Sequence, residues 1–291
     1  MKPALIVHGG CGTPPAGEEP ERMAACERAA TIGWQVLRDG GSALDAVEAA
    51  VRQLEDEPVL NAGTGSYLQA DGVARMDASI MSSDGRAGSV AQVPWLKNPI
   101  SLSRYLLEQD AHVMLCGQEA LQLALKLGHQ TYVVATPAKV QYWLDHLDEA
   151  SRKLDYAAMA HSWKQDNPRL GTVGCVAIDA AGKLAAGTST GGTGQCFPGR
   201  IGDTPIIGAG TYCTPKVAVS MTGVGERIMV LLSAKRLCDL VDAGHTLNEA
   251  AEAVMQEVKK LNSFAGIIAI DAEGNLLVTK NTPFMGVAIR T

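Results

Sequence analysis

The chain has 291 residues, 46% of them hydrophobic, which is long enough for one large domain with a buried core. Its formal charge is −6 and its basic residues are scattered, so it lacks the clustered positive charge that nucleic-acid-binding proteins use. No stretch approaches the roughly 18 apolar residues of a membrane span, and the five-residue apolar run after Lys2 is shorter than the ~7 residues of a secretory signal, so we expect a cytoplasmic protein.

The first half of the chain predicts an irregular mixture of strands and helices. In chain order these are a strand over 4–8, helices over 20–38 and from Ser42 to about Glu55, strands over 73–81 and 87–93, and helices over 101–109, 117–127 and 138–153. Ser42 is the predicted N-cap of the second helix, with Asp45 three residues on as in a capping box. The segment 155–169 is polar and lacks a clear period, which predicts an exposed connector.

The second half contains two strand–turn–strand units. In chain order the predicted elements are a strand over 170–179, a turn at 180–183, a strand over 184–189, a strand over 216–221, helices over 226–242 and 246–260, a strand over 266–271, a turn at 272–275 and a strand over 276–280. Thr246 is the predicted N-cap of the last helix. Strands in series alongside helices indicate a mixed α+β domain.

The dipeptide Gly171-Thr172, where the connector meets a buried strand, is a candidate for catalytic chemistry. A threonine hydroxyl is a poor nucleophile without a base, but the α-amine of an N-terminal threonine supplies one, with a pKa of about 7.7–8.0. Because Thr172 is internal, the chain would first have to be cut after Gly171, by attack of the Thr172 hydroxyl on the Gly171 carbonyl and hydrolysis of the ester. Taken alone, the dipeptide is far more typical of an ordinary strand start.

Three other residues are candidates to act together with Thr172. The turn at 180–183 predicts that Thr190 returns beside Thr172, where a second hydroxyl can orient the nucleophile and relay its proton. Arg200 and Asp203 lie three residues apart in a loop rich in proline and glycine. An arginine fork binds a carboxylate and an aspartate binds an ammonium, so the pair suits the α-groups of one amino acid; an internal Arg–Asp ion pair is the open alternative.

The segment 220–227 runs from a predicted strand into a helix. Backbone N–H groups at such a junction can stabilise an oxyanion, and the helix dipole adds to this effect. Thr222 has the alternative role of capping the helix. Asn61, in a glycine-rich loop, is a candidate for contact with the substrate, whereas Asp77 and Ser79 look structural.

A serine-hydrolase pattern competes with this interpretation. Gly187-Thr188-Ser189-Thr190-Gly191 matches G-x-S-x-G, and His8-Gly9-Gly10 resembles an oxyanion loop. However, a nucleophile elbow requires a helix directly after the serine, and the glycine-rich segment 191–199 cannot start one. The only histidine downstream is His245, in a polar turn, so we set the serine-hydrolase interpretation aside.

Together the segments resemble the threonine-type isoaspartyl peptidase/L-asparaginase family, the plant-type asparaginases of the N-terminal nucleophile hydrolase superfamily. The similarity extends from Val7-His8-Gly9-Gly10 to Asn281-Thr282. The similar segments between these ends are 40–47, Asn61-Ala62-Gly63, 76–81, 97–100, 171–174, 188–192, 199–203 and Thr222-Gly223. So many short segments in the same order make a specific match.

The resemblance implies an α+β fold, a four-layer αββα sandwich, over a single domain 1–291. It also implies maturation into an α chain (1–171) and a β chain (172–291), assembled as a dimer of such α/β units. The implied roles are nucleophile for Thr172, supporting hydroxyl for Thr190, oxyanion site for Thr222 and Gly223, substrate clamp for Arg200 and Asp203, and contact with the substrate amine for the Gly225 carbonyl.

The implied activity is hydrolysis of isoaspartyl peptide bonds or of the side-chain amide of L-asparagine, through a β-aspartyl ester and without an organic cofactor. The loop from Leu54 to Thr64 is similar to one that holds a structural sodium. The implied main-chain carbonyl ligands are those of Leu54, Glu55, Glu57, Leu60, Ala62 and Thr64. A glycosylasparaginase-like amidase, or a poorly processed homologue with a binding role, are the alternatives.

The chain departs from the family pattern at two places. Residues 193–198 replace a segment that often contains an Asn-Lys pair, and this segment is expected to border the pocket. Val224 replaces what is commonly a small polar residue or histidine. These departures are expected to affect the choice of leaving group and the rate of self-cleavage.

Overall fold

The computed structural model describes residues 1–163 and 171–291, and these residues form eleven strands and ten helices. The strands are β1 (Ala4–Gly12), β2 (Arg75–Ser82), β3 (Ala87–Pro94), β4 (Met114–Cys116), β5 (Thr172–Ile178), β6 (Leu184–Thr190), β7 (Thr211–Cys213), β8 (Val217–Gly223), β9 (Ala265–Asp271), β10 (Leu276–Lys280) and β11 (Phe284–Arg290). The helices are α1 (Glu19–Arg38), α2 (Ala43–Glu55), α3 (Pro99–Gln109), α4 (Gly117–Lys126), α5 (Pro137–Asp145), α6 (Glu149–Lys153), α7 (Tyr156–Trp163), α8 (Gly225–Leu231), α9 (Ser233–Asp242) and α10 (Leu247–Lys260).

The strands form two sheets that lie face to face. The larger sheet has the order β11-β1-β5-β6-β2-β3-β4 and the smaller one the order β10-β9-β8-β7. Helices α1, α2 and α3 cover the outer face of the larger sheet, and α9 and α10 cover the outer face of the smaller one. A separate apolar cluster fills each of the three interfaces. This arrangement confirms the predicted α+β, four-layer αββα sandwich.

Strand β5 shows how the sequence places the candidate nucleophile. Val173 and Cys175 pack against the helices, whereas Val176 and Ile178 pack against the smaller sheet. Because side chains alternate along a strand, Thr172 faces the same way as Val176, into the space between the sheets. A strand buried on both faces reads as a continuous apolar run, which is why the sequence predicts it well.

Several predicted boundaries are confirmed by local hydrogen bonds. The Ser42 side chain caps α2 by accepting a hydrogen bond from the Asp45 N–H, and the Asp45 side chain accepts one from the Ser42 N–H. These two bonds form a capping box. Thr246 and Glu249 form the same arrangement at the start of α10. Both caps satisfy backbone N–H groups that the first turn of a helix leaves without partners.

Two helices predicted as continuous are each interrupted. The helix predicted over 138–153 is wrong because α5 ends at Asp145, and Asp148 then caps a new helix by accepting a bond of 2.7 Å from the Ser151 N–H. The helix predicted over 226–242 divides at Leu232, whose φ of +48° breaks the helical geometry between α8 and α9.

Other differences concern the connector and three strands. The connector predicted over 155–169 is wrong where α7 forms; its remainder, 164–169, and Leu170, where the next strand was predicted to begin, lie outside the described residues. Strands β4, β7 and β11 were not predicted. The first two have three residues each, too short for a periodic signal, and β11 is defined by pairing with the distant β1.

Candidate active site

The candidate nucleophile lies opposite its predicted partner. Thr172 and Thr190 face each other in the register of β5 and β6, as the turn predicts. The Thr172 hydroxyl donates to the Thr190 hydroxyl at 3.3 Å, and Thr190 in turn donates to the Gly171 carbonyl at 3.4 Å. The Gly192 N–H donates to the Thr190 oxygen at 3.1 Å and holds it in place. One hydroxyl therefore contacts both the attacking oxygen and the carbonyl of the Gly171–Thr172 bond.

The Gly171–Thr172 bond is enclosed on two sides. Gly10, near the end of β1, lies so close that a Cβ there would be 2.8 Å from the Gly171 Cα and 3.1 Å from the Thr172 nitrogen. On the other side, a Cβ on Gly171 would be 3.1 Å from the Asn61 Cβ. Gly10 also has a φ of +91°, which favours glycine. The bond therefore sits in a slot that admits no side chain at Gly10.

Gly10→Ala is expected to slow self-cleavage by about tenfold to a hundredfold, because the methyl group would displace the bond from the Thr172 hydroxyl. Gly12→Ala is the matched control: Gly12 also has a positive φ, of +137°, but nothing lies within 4 Å of a Cβ there. A time course of fragment formation on denaturing gels measures both rates. Equal slowing in the two variants would attribute the effect to backbone strain and contradict the slot.

Arg200 and Asp203 do not pair with each other as an internal ion pair. Arg200 instead forms an ion pair with Glu226: its Nε donates to Oε1 at 2.9 Å, and its Nη2 lies 2.9 Å from the same oxygen. Asp203 is buried, and its Oδ2 has no hydrogen-bond partner among the described residues. Burial raises the pKa of Asp203 to about 7, and the charge of Arg200 opposes this rise. Asp203, a buried carboxylate without a bound cation, is suited to bind an incoming ammonium group. Arg200, which Glu226 contacts on one side only, is suited to bind an incoming carboxylate.

Gly225 leaves room between the two clamp residues. A Cβ there would be 2.8 Å from Arg200 Nη2 and 2.9 Å from Asp203 Oδ1. The contact between its carbonyl and the substrate amine stays a prediction. Glu226, the next residue, was not predicted; only its position directly after Gly225 in the sequence could have drawn attention to it.

The predicted oxyanion site lies at the end of β8. Gly223 lines the same pocket as Thr172 and Thr190. Thr222 is fully buried, and its hydroxyl has no hydrogen-bond partner among the described residues. The alternative of a Thr222 helix cap is wrong, because Val224 occupies the N-cap position and no side chain caps the helix. Since the Val224 N–H donates to the Phe264 carbonyl, it is not available to a substrate.

Asn61 uses its amide to shape the pocket. Its Nδ2 donates to the Gly192 carbonyl at 2.6 Å, and its Oδ1 accepts from the Tyr67 N–H at 3.0 Å. It thus holds the loop after Thr190 and contacts Gly171, and its direct contact with substrate stays a prediction. Gln92, which was not predicted, supports the clamp in a similar way: its side chain donates to the Arg200 carbonyl at 2.6 Å, and its N–H to Asp77 at 2.7 Å.

The serine-hydrolase alternative fails on geometry. Ser189 points to the helix side of its sheet, where its hydroxyl donates to Glu55 Oε1 at 2.7 Å. Burial raises the pKa of Glu55 to about 8, against the hydrogen bonds that its carboxylate accepts. His8, in the segment that resembles an oxyanion loop, bonds to Ser220 and not to Ser189.

The divergent segment 193–198 packs under α5. Gln195 donates to the Trp143 carbonyl at 2.7 Å, and Gly194 lies against the rings of Tyr67 and Tyr142. Thr193 lines the pocket. A substitution within this segment therefore affects the pocket mainly through Thr193 and through the packing of α5.

The pocket itself is almost closed. It is lined by Gly171, Thr172, Thr190, Gly192, Thr193, Arg200, Gly202, Asp203, Gly223 and Gly225. Its free volume is about 10 Å³, close to the minimum for one water molecule. An amino acid substrate has no room while Gly171 stays in place.

Comparisons with known proteins show which family the chain resembles over its whole length. The Asparaginase_2 family model, described as asparaginase, matches residues 1–291. The plant-type L-asparaginase of Thermococcus kodakarensis is 41% identical over 297 residues, covering 98% of this chain and 95% of the relative. The isoaspartyl peptidase/L-asparaginase of Bos taurus is 40% identical, and the alignment covers 96% of this chain and 90% of the relative. The isoaspartyl peptidase of Escherichia coli K12 is 38% identical, and the alignment covers 98% of this chain and 91% of the relative.

Proposed function

The chain belongs to the asparaginase family, and from this membership we propose that it hydrolyses β-aspartyl amides, namely isoaspartyl peptides and L-asparagine, with Thr172 as an N-terminal nucleophile. The observation that carries the proposal is the contact of one hydroxyl, Thr190, with both the Thr172 oxygen and the Gly171 carbonyl. The same pocket holds the Arg200 and Asp203 clamp. The relatives that support the substrate class carry both names, peptidase and asparaginase.

Maturation would begin on the bond that the pocket encloses. The Thr172 oxygen attacks the Gly171 carbonyl, the C–N bond breaks, and the nitrogen takes up the hydroxyl proton to become a free α-amine. Water then hydrolyses the ester and restores the hydroxyl, leaving chains 1–171 and 172–291. The small pocket volume of the uncut chain supports this order, because a substrate needs more space than the pocket offers before the cut frees Gly171 to move away.

The substrate reaction repeats the same chemistry. The α-amine of Thr172 takes the hydroxyl proton, and the oxygen attacks the side-chain carbonyl of the substrate. The developing oxyanion lies at the end of β8, near Gly223 and the unpartnered Thr222 hydroxyl. Ammonia or a peptide amine leaves with the proton, and water hydrolyses the β-aspartyl ester to aspartate. Arg200 and Asp203 hold the α-carboxylate and α-ammonium throughout.

The predicted sodium belongs to the same proposal. The Glu55 carbonyl accepts from the Thr64 N–H at 2.7 Å, and the Glu57 carbonyl accepts from the Leu60 N–H at 3.0 Å. Each carbonyl oxygen keeps a second lone pair, and the buried Thr64 hydroxyl has no partner among the described residues. The loop therefore fits a cation held by Leu54, Glu55, Glu57, Leu60, Ala62 and Thr64.

Assembly and location are also proposals. We propose the dimer of α/β units from the family resemblance. In residues 1–163 and 171–291, no helix combines the length and apolar character needed to cross a membrane. A cytoplasmic location stays a prediction from the sequence.

Incubating the purified chain with L-asparagine and with β-aspartyl dipeptides tests the function. We expect two fragments that meet at Thr172 in the intact mass, and release of aspartate from both substrate types only after that cut. The α-aspartyl dipeptides are the matched control, because their scissile carbonyl is displaced relative to the clamp. An uncut chain that hydrolyses its substrate fully, or a cut chain without β-aspartyl hydrolysis, would contradict the proposal.

A further inference from the structure

A chain of buried hydrogen bonds runs directly beneath the pocket. It begins at His8, whose Nε2 lies 2.9 Å from the Ser220 oxygen, and Ser220 lies 2.8 Å from the Thr188 oxygen. Thr188 is bonded to Thr211, and Thr211 lies 2.8 Å from the oxygen of Ser79. Ser79 ends the chain 2.6 Å from the Thr204 carbonyl. All these residues are completely buried.

The Thr204 carbonyl, the last acceptor of the chain, determines which oxygen is the donor in each hydrogen bond. A carbonyl only accepts, so the Ser79 hydroxyl donates its single proton to Thr204 and must accept from Thr211. Because Thr211 uses its proton for Ser79, the close Thr188–Thr211 contact needs the proton of Thr188, which therefore does not go to the Gly210 carbonyl 3.3 Å away. Ser220 is then the donor to Thr188. Ser220 then has no proton left for His8. The Nε2 of His8 must therefore carry a hydrogen and donate it to Ser220.

The other ring nitrogen of His8 agrees with this assignment. The Gly10 N–H donates to His8 Nδ1 at 3.4 Å, so Nδ1 acts as an acceptor. Burial lowers the pKa of His8 to about 3, and this effect outweighs the opposing influence of the nearby Thr172 main chain. The ring is thus neutral and has one defined tautomer.

The chain joins the strand ends that form the pocket. His8, Thr188 and Ser220 each lie two residues before a residue of the site: Gly10, Thr190 and Thr222. In a strand, residues two apart share a face, so the Thr188/Thr190 and Ser220/Thr222 pairs point into the space between the sheets. The register of β1 shifts between His8 and Cys11, and Gly10 is joined to His8 by its N–H, which donates to Nδ1. Thr204, at the other end, directly follows Asp203. Elsewhere this layer is apolar, as with Ile6, Ala186 and Ala218.

A glycine makes the first link of the chain possible. Gly174 lies opposite His8 in the register of β1 and β5. A Cβ at Gly174 would overlap both the Ser220 oxygen and His8 Nε2. The contact between them therefore depends on the missing side chain.

We propose that His8 is a positioning residue, protonated on Nε2, which through Ser220, Thr188, Thr211 and Ser79 sets the Gly171–Thr172 bond in line with the Thr190 hydroxyl. The inference rests on the proposed function for its kinetic consequence. The tautomer and the direction of the hydrogen bonds rest on geometry alone. The buried hydroxyl groups therefore do more than occupy space in the core, because they couple the end of β1 to the loop that carries Asp203.

Long-range ¹H–¹⁵N spectra of the uncut Thr172→Ala chain test the tautomer directly. The His8 signals are identified by their absence when His8→Gln is added in the same background. We expect a neutral ring with the proton on Nε2 from about pH 5 to about pH 8. A proton on Nδ1, or a charged ring in this range, would overturn the proposal even if no His8 variant folds.

Two substitutions at His8 in the otherwise unchanged chain test the role. The glutamine amide can reach the Nε2 position and donate to Ser220, so His8→Gln should retain self-cleavage and kcat within about tenfold. The asparagine amide reaches only the Nδ1 position, so His8→Asn should lose about a hundredfold in both. Circular dichroism and thermal unfolding verify that both variants fold. Equal activity of the two folded variants would overturn the role.

These measurements separate the inference from the function on which it rests. If the unchanged chain neither cuts itself nor hydrolyses β-aspartyl amides, the proposed function fails while the tautomer is still measured. If the unchanged chain is active but the tautomer is reversed, the positioning inference fails alone.

Discussion

Thr172→Ala is expected to leave one uncut chain and to lower amide hydrolysis by about 10⁴-fold or more. The substitution removes the oxygen that Thr190 contacts at 3.3 Å, so neither the Gly171 carbonyl nor a substrate meets a nucleophile. It also prevents release of the α-amine that would serve as the base. Intact mass and an aspartate-release assay measure the two effects on the same sample.

Thr172→Ser is the matched control for this experiment. It keeps a hydroxyl at the same place and should still cut itself and hydrolyse substrate, although more slowly because the side chain has lost its methyl contacts. Full amide hydrolysis by the uncut Thr172→Ala chain would assign the nucleophile to another residue. An inactive Thr172→Ser chain would point to the methyl group, rather than the hydroxyl, as the feature that the site requires.

The position of Thr172, the proposed nucleophile, was predictable because its determinants are local. The turn at 180–183 sets the pairing of β5 and β6, and this pairing brings Thr172 opposite Thr190. The four-layer fold follows from strands that are apolar on both faces and from helices with one apolar face. The caps at Ser42 and Thr246 are equally local, since each bonds within one helical turn.

Features that depend on distant contacts were not predictable from periodicity. Strand β11 forms because it pairs with β1 at the other end of the chain. Glu226 holds Arg200 across 26 positions, and Gln92 reaches the same loop across 108. The break at Leu232 has no glycine or proline to signal it. These contacts arise only when the two sheets come together, so a pattern of neighbours along the chain does not contain them.

The proposed substrate clamp requires a negative charge on Asp203. Asp203→Asn keeps the shape of the side chain but removes the partner of the substrate ammonium. Loss of one member of a buried charge pair costs about 2–5 kcal/mol, so kcat/KM for L-asparagine should fall by about thirtyfold to several thousandfold. Self-cleavage should proceed normally, because the Gly171–Thr172 bond presents no ammonium group to the clamp.

The remote control for this variant is Asp271→Asn. Asp271 is buried in the turn after β9, paired with Val217 at the end of β8 opposite to Gly223. The Asp271→Asn variant should retain kcat/KM, although it loses the hydrogen bond that the second carboxylate oxygen accepts from the Asn275 side chain. A folded Asp203→Asn enzyme with unchanged kcat/KM would contradict the clamp.

The pH profile distinguishes a charge effect from a change of shape. Because the pKa of Asp203 is raised to about 7, the carboxyl is largely protonated below this pH in the free enzyme and cannot pair with an ammonium. As the pH rises through about 7 the carboxylate forms, so kcat/KM of the unchanged enzyme should rise, and it should rise again as the Thr172 amine loses its proton near pH 7.7–8.0. Asp203→Asn should keep only the second step. A profile with both steps intact in this variant would assign the first one to another group.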